Sequence, residues 1–235
     1  AGEAYVRGAQ AEYLRVPFAD GTLVATPSKP DPELIPDLLA ASDVLGTGWF
    51  AADAAGAAAG KTIAVVGDGA VGLGAVIGAA QLGAERVIAM SRHEARAKLA
   101  REFGATDVVA ERGEEGAAKV KELTGGYGAH GTAEAVGTEQ AMQQALASTR
   151  YGGYVGFVGV PHGGTISVDQ LFGKEVHLFG GPAPVRRYLP QLIKLIFERK
   201  IHPGKVFDLV LPIEQAAEGY AAMDQRRATK VMLTF

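Results

Sequence analysis

Through the middle of the chain, short apolar runs recur at intervals, each followed by a longer stretch with helical spacing. "KTIAVVG" (61–67) is the first run, and a helix of small residues over 70–82 follows it. "RVIAM" (86–90) and an amphipathic helix over 94–103, closed by Gly104, repeat the unit. "TDVVA" reads as a shorter strand ahead of the helix "EEGAAKVKEL" (114–123). "GTAEAVG" and a helix over 138–149 come next, then the strongly apolar "GGYVGFVGV" (152–160). "KEVHLFG" (174–180) is a further strand, with a long helix over 184–199 behind it. Wholly apolar strands alternating with helices predict an α/β fold built on a doubly wound parallel sheet.

Both flanks leave this rhythm. Residues 1–26 read as short strands with turns, because "AEYLRVPFADGTLVATP" alternates apolar and polar side chains around Ala19-Asp20-Gly21. A proline-rich linker, "PSKPDPELIP" (27–36), follows, and then an alanine-rich helix across 36–59, interrupted by Gly46 and Gly48. The last 30 residues end in the strand "TKVMLTF". The expected division is therefore 1–32, short strands and linker; 33–203, the α/β domain; and 204–235, a C-terminal segment. No segment repeats at a fixed period. The chain opens on Ala1 rather than Met, which reads as a cut or processed end.

Composition narrows the function. Glycine supplies 32 of 235 residues, about twice its usual share, which points to tight turns and close backbone approach to a ligand. A net charge of −3 gives no basic field for nucleic acid. No apolar run approaches the roughly 20 residues of a membrane helix. With no signal peptide read at the start and no cysteine for disulfides or thiolate metal ligands, a cytoplasmic setting is expected.

"VVGDGAVGLG" puts Gly67, Gly69 and Gly72 in the G-x-G-x-x-G spacing, directly after an apolar strand and opening a helix. The first glycine permits a tight turn and the second lets a pyrophosphate approach the backbone. The third lets helix and strand pack closely, so Ala70 and Val71 start a helix whose N-terminus faces the phosphate. Strand, loop, helix and second strand arrive in order within about 30 residues, the context that a dinucleotide site requires.

From "GKTIAVVGDGAVGLGAVIGAAQLGAERVIAMSRHEARAKLAREFGATDVV" onward the chain resembles the coenzyme domain of the zinc-dependent alcohol dehydrogenases, the medium-chain dehydrogenase/reductase family. The likeness continues through "EAVGT" (134–138), "GGYVGFVGVP" (152–161), "HLFGG" (177–181) and "VMLTF". "GAQAEYLRVPFADGTLV" looks like the last strands of that family's catalytic domain, so β segments of that domain are expected at both ends of a Rossmann domain. The resemblance implies that Thr47 of "GTGW" touches the nicotinamide. It further implies that backbone atoms of Val158, Val160 and Phe179 bind the carboxamide, that Val136 and Gly137 line the cofactor cleft, and that Lys230 neutralises the pyrophosphate. Asp43 stands where many members carry a ligand of the catalytic zinc, although it also suits a helix cap beside Ser42. The cysteine, Gly-His-Glu and proton-relay elements of the family's first half have no counterpart here. Zinc is therefore expected only in a complete enzyme, and this chain alone should bind cofactor without zinc-assisted hydride transfer.

The acidic residue that holds the adenosine ribose of NAD should fall about 20 residues past the glycine loop. At that strand end the chain reads Met90-Ser91-Arg92-His93. A carboxylate would repel a 2′-phosphate, whereas Ser91 can donate to it and Arg92 can fork onto its oxygens. Arg96, one helical turn on, adds a second cation, and His93 contributes when protonated. Members that use NADP are similar at this tip, so NADP is the expected cofactor and NAD the alternative.

The remaining histidines, His130, His162, His177 and His202, show no metal-ligand spacing, and His162 is the one near an expected substrate cleft. Arg186-Arg187 reads as a solvated helix face. The resemblance implies hydride exchange between a nicotinamide and an alcohol, aldehyde or ketone. It also implies a homodimer or tetramer joined through the edge strand at 174–180. Two other readings stay open: a non-catalytic nucleotide-binding and oligomerisation module, and a zinc-free quinone reductase, against which "GDGAVG" counts.

Overall fold

A computed structural model describes residues 10–235. Six parallel strands form one sheet: β1 (Thr62–Val66), β2 (Arg86–Met90), β3 (Asp107–Val109), β4 (Ala129–Glu134), β5 (Thr149–Phe157) and β6 (His177–Gly180). Their order across the sheet is β3-β2-β1-β4-β5-β6, the doubly wound arrangement that the alternation of strands and helices predicts. The chain crosses from one side of β1 to the other between β3 and β4. The crevice this leaves at the strands' C-terminal ends is where such sheets bind ligands.

The central strand β1 is apolar on both sides because each side is covered. Ile63 and Val65 of β1 join a core with Trp49, Leu73 and Val76, while Ala64 and Val66 join a second with Val120, Ala141 and Leu146. Alternate residues of one run thus belong to opposite faces, as the two-residue period of a strand requires. The first face is covered by α2 (Ile35–Ala41), α3 (Val44–Ala54), α4 (Ala70–Gln81) and α9 (Val185–Phe197). The second is covered by α6 (Gly113–Leu123) and α7 (Glu139–Ser148). Beyond β2 lies α5 (Glu94–Glu102).

The helix expected over 36–59 is two helices, and its break falls at Ser42-Asp43 rather than at Gly46 or Gly48. Ser42 Oγ donates to the Leu39 carbonyl at 2.7 Å and closes α2. Both glycines lie inside α3, where the missing side chains let it pack tightly: a Cβ at Gly48 would overlap the backbone of Val71 and Ala75 in α4. From the other side, a Cβ at Gly74 would stand 2.8 Å from the Val44 carbonyl oxygen. Packing has overridden the weak helix propensity of glycine.

Three further expectations are corrected. Residues 10–26 contain no strand; a single helical turn, α1 (Ala19–Thr22), occupies the supposed hairpin turn, and residues 1–9 lie outside the described part. An alternating segment needs a neighbouring strand to complete its hydrogen bonds, and among the described residues none pairs with this one. The stretch read as a strand over 174–180 begins as helix, α8 (Val168–Lys174), leaving β6 only four residues. The C-terminal segment holds a small βαβ unit: β7 (Phe207–Pro212), α10 (Ala216–Asp224) and β8 (Lys230–Thr234), with the two strands parallel. No helix among the described residues is long and apolar enough to cross a membrane.

Candidate functional site

The glycine loop lies at the end of β1, beside the crossover. Gly67 has φ 116°, closed to most residues, and a Cβ there would approach Val136 Cγ2 at 2.9 Å. At Gly72 a Cβ would overlap the Gly67 carbonyl, so this glycine sets the helix against the turn. Gly69 caps α4, and nothing lies within 4 Å of where its Cβ would be. That face is open space above the first turn of α4, with room for a phosphate beside the helix N-terminus.

A cavity of about 320 Å³ extends from this loop along the ends of β2 and β3. Val66 and Met90 contribute apolar floor, Val136 and Gln144 line the far side, and four arginines line it as well: Arg92, Arg96, Arg112 and Arg226. The single carboxylate of the loop, Asp68, is already engaged. Ser91 Oγ donates to its Oδ2 at 2.8 Å, and Arg96 Nη1 to its Oδ1 at 3.3 Å. Arg96 Nη2 also donates to the Ala228 carbonyl at 3.3 Å, linking α5 to the C-terminal segment.

The residues expected at the strand tip therefore separate. Arg92 is exposed and free of side-chain bonds among the described residues, whereas Ser91 and Arg96 are held by Asp68. His93 does not line the cavity; its Nε2 is buried with no hydrogen-bond partner. Ala70 is buried at the start of α4 and Val71 half-buried beside it.

Val136 and Ala135 line the cavity's far wall, and Glu134 ties their loop to the one that follows β5. Its carboxylate Oε1 accepts from the amides of Val136 and Gly137, both at 2.8 Å. Its backbone carbonyl accepts from Val158 N at 2.9 Å. Gly137 has φ 88° and rests on the Val160 carbonyl, so closely that a Cβ would overlap it. The structure thus brings Val136, Gly137, Val158 and Val160 into one neighbourhood.

Thr47, Phe179 and Lys230 do not line this cavity. Thr47 is half-buried in α3, its amide bonded to the Asp43 carbonyl at 2.9 Å. Phe179 packs its ring edge-on to Phe50 at 5.7 Å, in a groove along the sheet edge with Tyr154 and Arg187. Lys230 lines a separate cavity of about 250 Å³ together with Asp43, Ser42 and Met232. Asp43 is exposed, and among the described residues no three His, Cys, Asp or Glu side chains are grouped to hold a metal. Asp43 alone does not fit a zinc ion, which takes three protein ligands at a catalytic site.

Sequence reasoning missed Asp68, Arg112, Arg226 and Glu134. Arg112 had a readable signal, since it follows the third strand and the ends of such strands face the crevice. Arg226 had none, being 159 residues from Gly67 by the numbering and delivered there only by the fold. Partial burial, then the like charges of Arg92 and Arg226, pull Arg112 below an ordinary guanidinium, with Asp68 acting in the opposite direction.

A parallel doubly wound sheet with a glycine loop opening on an anion-attracting crevice defines a dinucleotide-binding Rossmann domain. The family model described as "Zinc-binding dehydrogenase" matches residues 70–198, and the chain belongs to that family. It is similar to zinc-type alcohol dehydrogenase B of Aspergillus flavus, at 32% identity over 97% of this chain and 54% of the relative. A probable zinc-binding alcohol dehydrogenase of Mycobacterium tuberculosis is 36% identical over 96% of this chain and 57% of its own length. Among solved structures, an alcohol dehydrogenase from Thermus sp. ATN1 superposes with a TM-score of 0.86 at 31% identity, covering 97% of this chain and 67% of the other. The chain spans little more than half the length of the two curated relatives.

Proposed function

We propose that this chain is the coenzyme-binding portion of a zinc-type alcohol dehydrogenase and that its cofactor is NADP(H). The observation that carries the reading is the glycine-loop cavity, lined by Arg92 and Arg96, with no carboxylate at the tip of β2 and with Asp68 neutralised by Ser91 and Arg96. The open face of Gly69 fits a pyrophosphate against the N-terminus of α4. A bound nicotinamide would supply the hydride donor or acceptor. This chain's own residues hold and orient it: Val158, Val160 and Phe179 are assigned to the carboxamide and Val136 and Gly137 to the cofactor cleft, while Thr47 is assigned to the nicotinamide and Lys230 to the pyrophosphate through the resemblance alone.

Oxidation of an alcohol, or reduction of an aldehyde or ketone, is proposed for a protein that supplies the zinc donors this chain's described residues lack, and no step is derived through zinc here. Segments 1–32 and 204–235 are assigned to the side of the catalytic domain, leaving 33–203 as the coenzyme domain. A second copy of the chain is assigned to the open edge of β6.

The test is cofactor binding. NADPH should bind the wild-type chain more tightly than NADH, and Arg92→Ala should lower NADPH affinity about ten- to a hundredfold, the range of one charge-assisted bond at roughly 1.5–3 kcal/mol. Equal wild-type affinities for the two cofactors would overturn the assignment.

A further inference from the structure

Arg92, Arg112 and Arg226 come from three separate segments: the β2–α5 turn, the N-terminal cap of α6 and the chain just past α10. All three face the one cavity that opens on the glycine loop, and none has a side-chain hydrogen bond or ion pair among the described residues. An isolated surface arginine is ordinary. Three guanidiniums converging on one cavity repel one another, and of the two carboxylates that line it Asp68 is already taken up by Ser91 and Arg96, which leaves Glu111 alone against three positive charges. Such an arrangement is stabilised by a multiply charged anion with several acceptor oxygens.

The backbone holds this arrangement. Arg226 adopts φ 59°, and its amide bonds to the Met223 carbonyl at 3.1 Å, ending α10. Two residues on, the Ala228 carbonyl accepts from Arg96, whose other nitrogen holds Asp68. Arg96 is thus a strut between the glycine loop and the C-terminal segment, and it keeps Arg226 at the rim.

We propose that Arg112 and Arg226 join Arg92 as a three-armed clamp for the ribose 2′-phosphate, while Ser91 and Arg96 position the clamp instead of touching the phosphate. The proposal rests on the NADP(H) reading above and names the residues that would decide it. A pyrophosphate offers the same oxygens, so the probes must separate the two sources.

The experiment is calorimetric titration of the full chain with 2′,5′-ADP, which carries the 2′-phosphate, and with 5′-AMP, which does not. Wild type should bind 2′,5′-ADP at least about tenfold more tightly. Arg112→Gln and Arg226→Gln should each lower 2′,5′-ADP affinity about tenfold and leave 5′-AMP within about twofold. Arg112→Lys should retain part of the preference, because a point charge replaces a fork. Thermal melts matching wild type exclude misfolding, which is not expected at exposed, unpartnered side chains. If wild type prefers 2′,5′-ADP and Arg92→Gln lowers that affinity about tenfold while Arg112→Gln and Arg226→Gln keep the full preference, the clamp is wrong and the cofactor reading stands. Equal losses for both probes would assign these arginines to the 5′-phosphate side and overturn the clamp. A wild type indifferent to the 2′-phosphate would overturn both.

Discussion

Glu134 is fully buried at the end of β4 and serves the site through two loops at once. Its Oε1 satisfies two amides, Val136 N and Gly137 N, while Oε2 has no partner. Removing the carboxylate strands two donors, one on half-buried Gly137 and one on exposed Val136, at up to roughly 1–3 kcal/mol each. Glu134→Ala should therefore lower stability by about 2–5 kcal/mol, read from the midpoint of urea unfolding. Glu134→Gln keeps one acceptor for the same two amides and should lose much less. Equal losses in the two variants would mean that packing rather than hydrogen bonding sets the cost. The sequence marks "EAVG" by resemblance, yet it does not reveal that the glutamate is the tie. That depends on a carboxylate folding back over its own following residues. Ser91 and Arg92 make the same point: adjacent in sequence, one turns inward to Asp68 and the other faces the cavity.

Among the elements, α7 and α8 are joined by two side chains of α8: Gln170 Nε2 donates to Gln143 Oε1 at 3.0 Å, and Lys174 reaches the backbone. Lys174, the last residue of α8, donates from Nζ to the carbonyls of Leu146 and Ala147, at 2.5 and 3.4 Å, in the last turn of α7. Burial, and secondarily the charge of Lys121, lowers its pKa to about 8 from 10.5. Below about pH 8 the folded protein carries this charge at a cost. Between about 8 and 10.5 the unfolded chain holds a proton that the folded one has released, so this group's contribution to stability rises with pH across that window. Tyr188 acts the other way above pH 10, because burial, with help from Asp53, raises its hydroxyl to about 12. Chemical unfolding from pH 7 to 10 should thus show wild type gaining stability relative to Lys174→Met. Parallel curves would remove Lys174 from the account. The strands and most helices of the sheet were legible because their apolar period is strong. Helix α8 was not, since "VDQLFGK" is short and runs into an apolar strand. Nor was the break at Ser42-Asp43, because glycine is a poor guide wherever two helices need close contact.

For the whole molecule, the sheet ends at β6, whose outer edge pairs with no strand among the described residues. Phe179 of β6 is 61% exposed, and Tyr154, beside it on β5, is stacked on His177 at 4.5 Å. An exposed edge with apolar side chains is a template for another strand, and the proposed partner is a second copy of the chain. Sedimentation velocity should find a dimer at micromolar concentration, and Phe179→Asp should shift it to monomer. A monomeric wild type would sink this assignment. By itself the sequence determined the alternation of strands and helices, the glycine loop and the missing carboxylate after β2, because period, spacing and residue type are local properties. Only the tertiary structure decided which arginines face the cavity, that Asp68 is occupied, and that Lys230 lines a cavity with Asp43. Those facts join residues from separate elements, Asp68 being 23 and 28 positions from its two partners, and chain topology sets their distances where local pattern cannot.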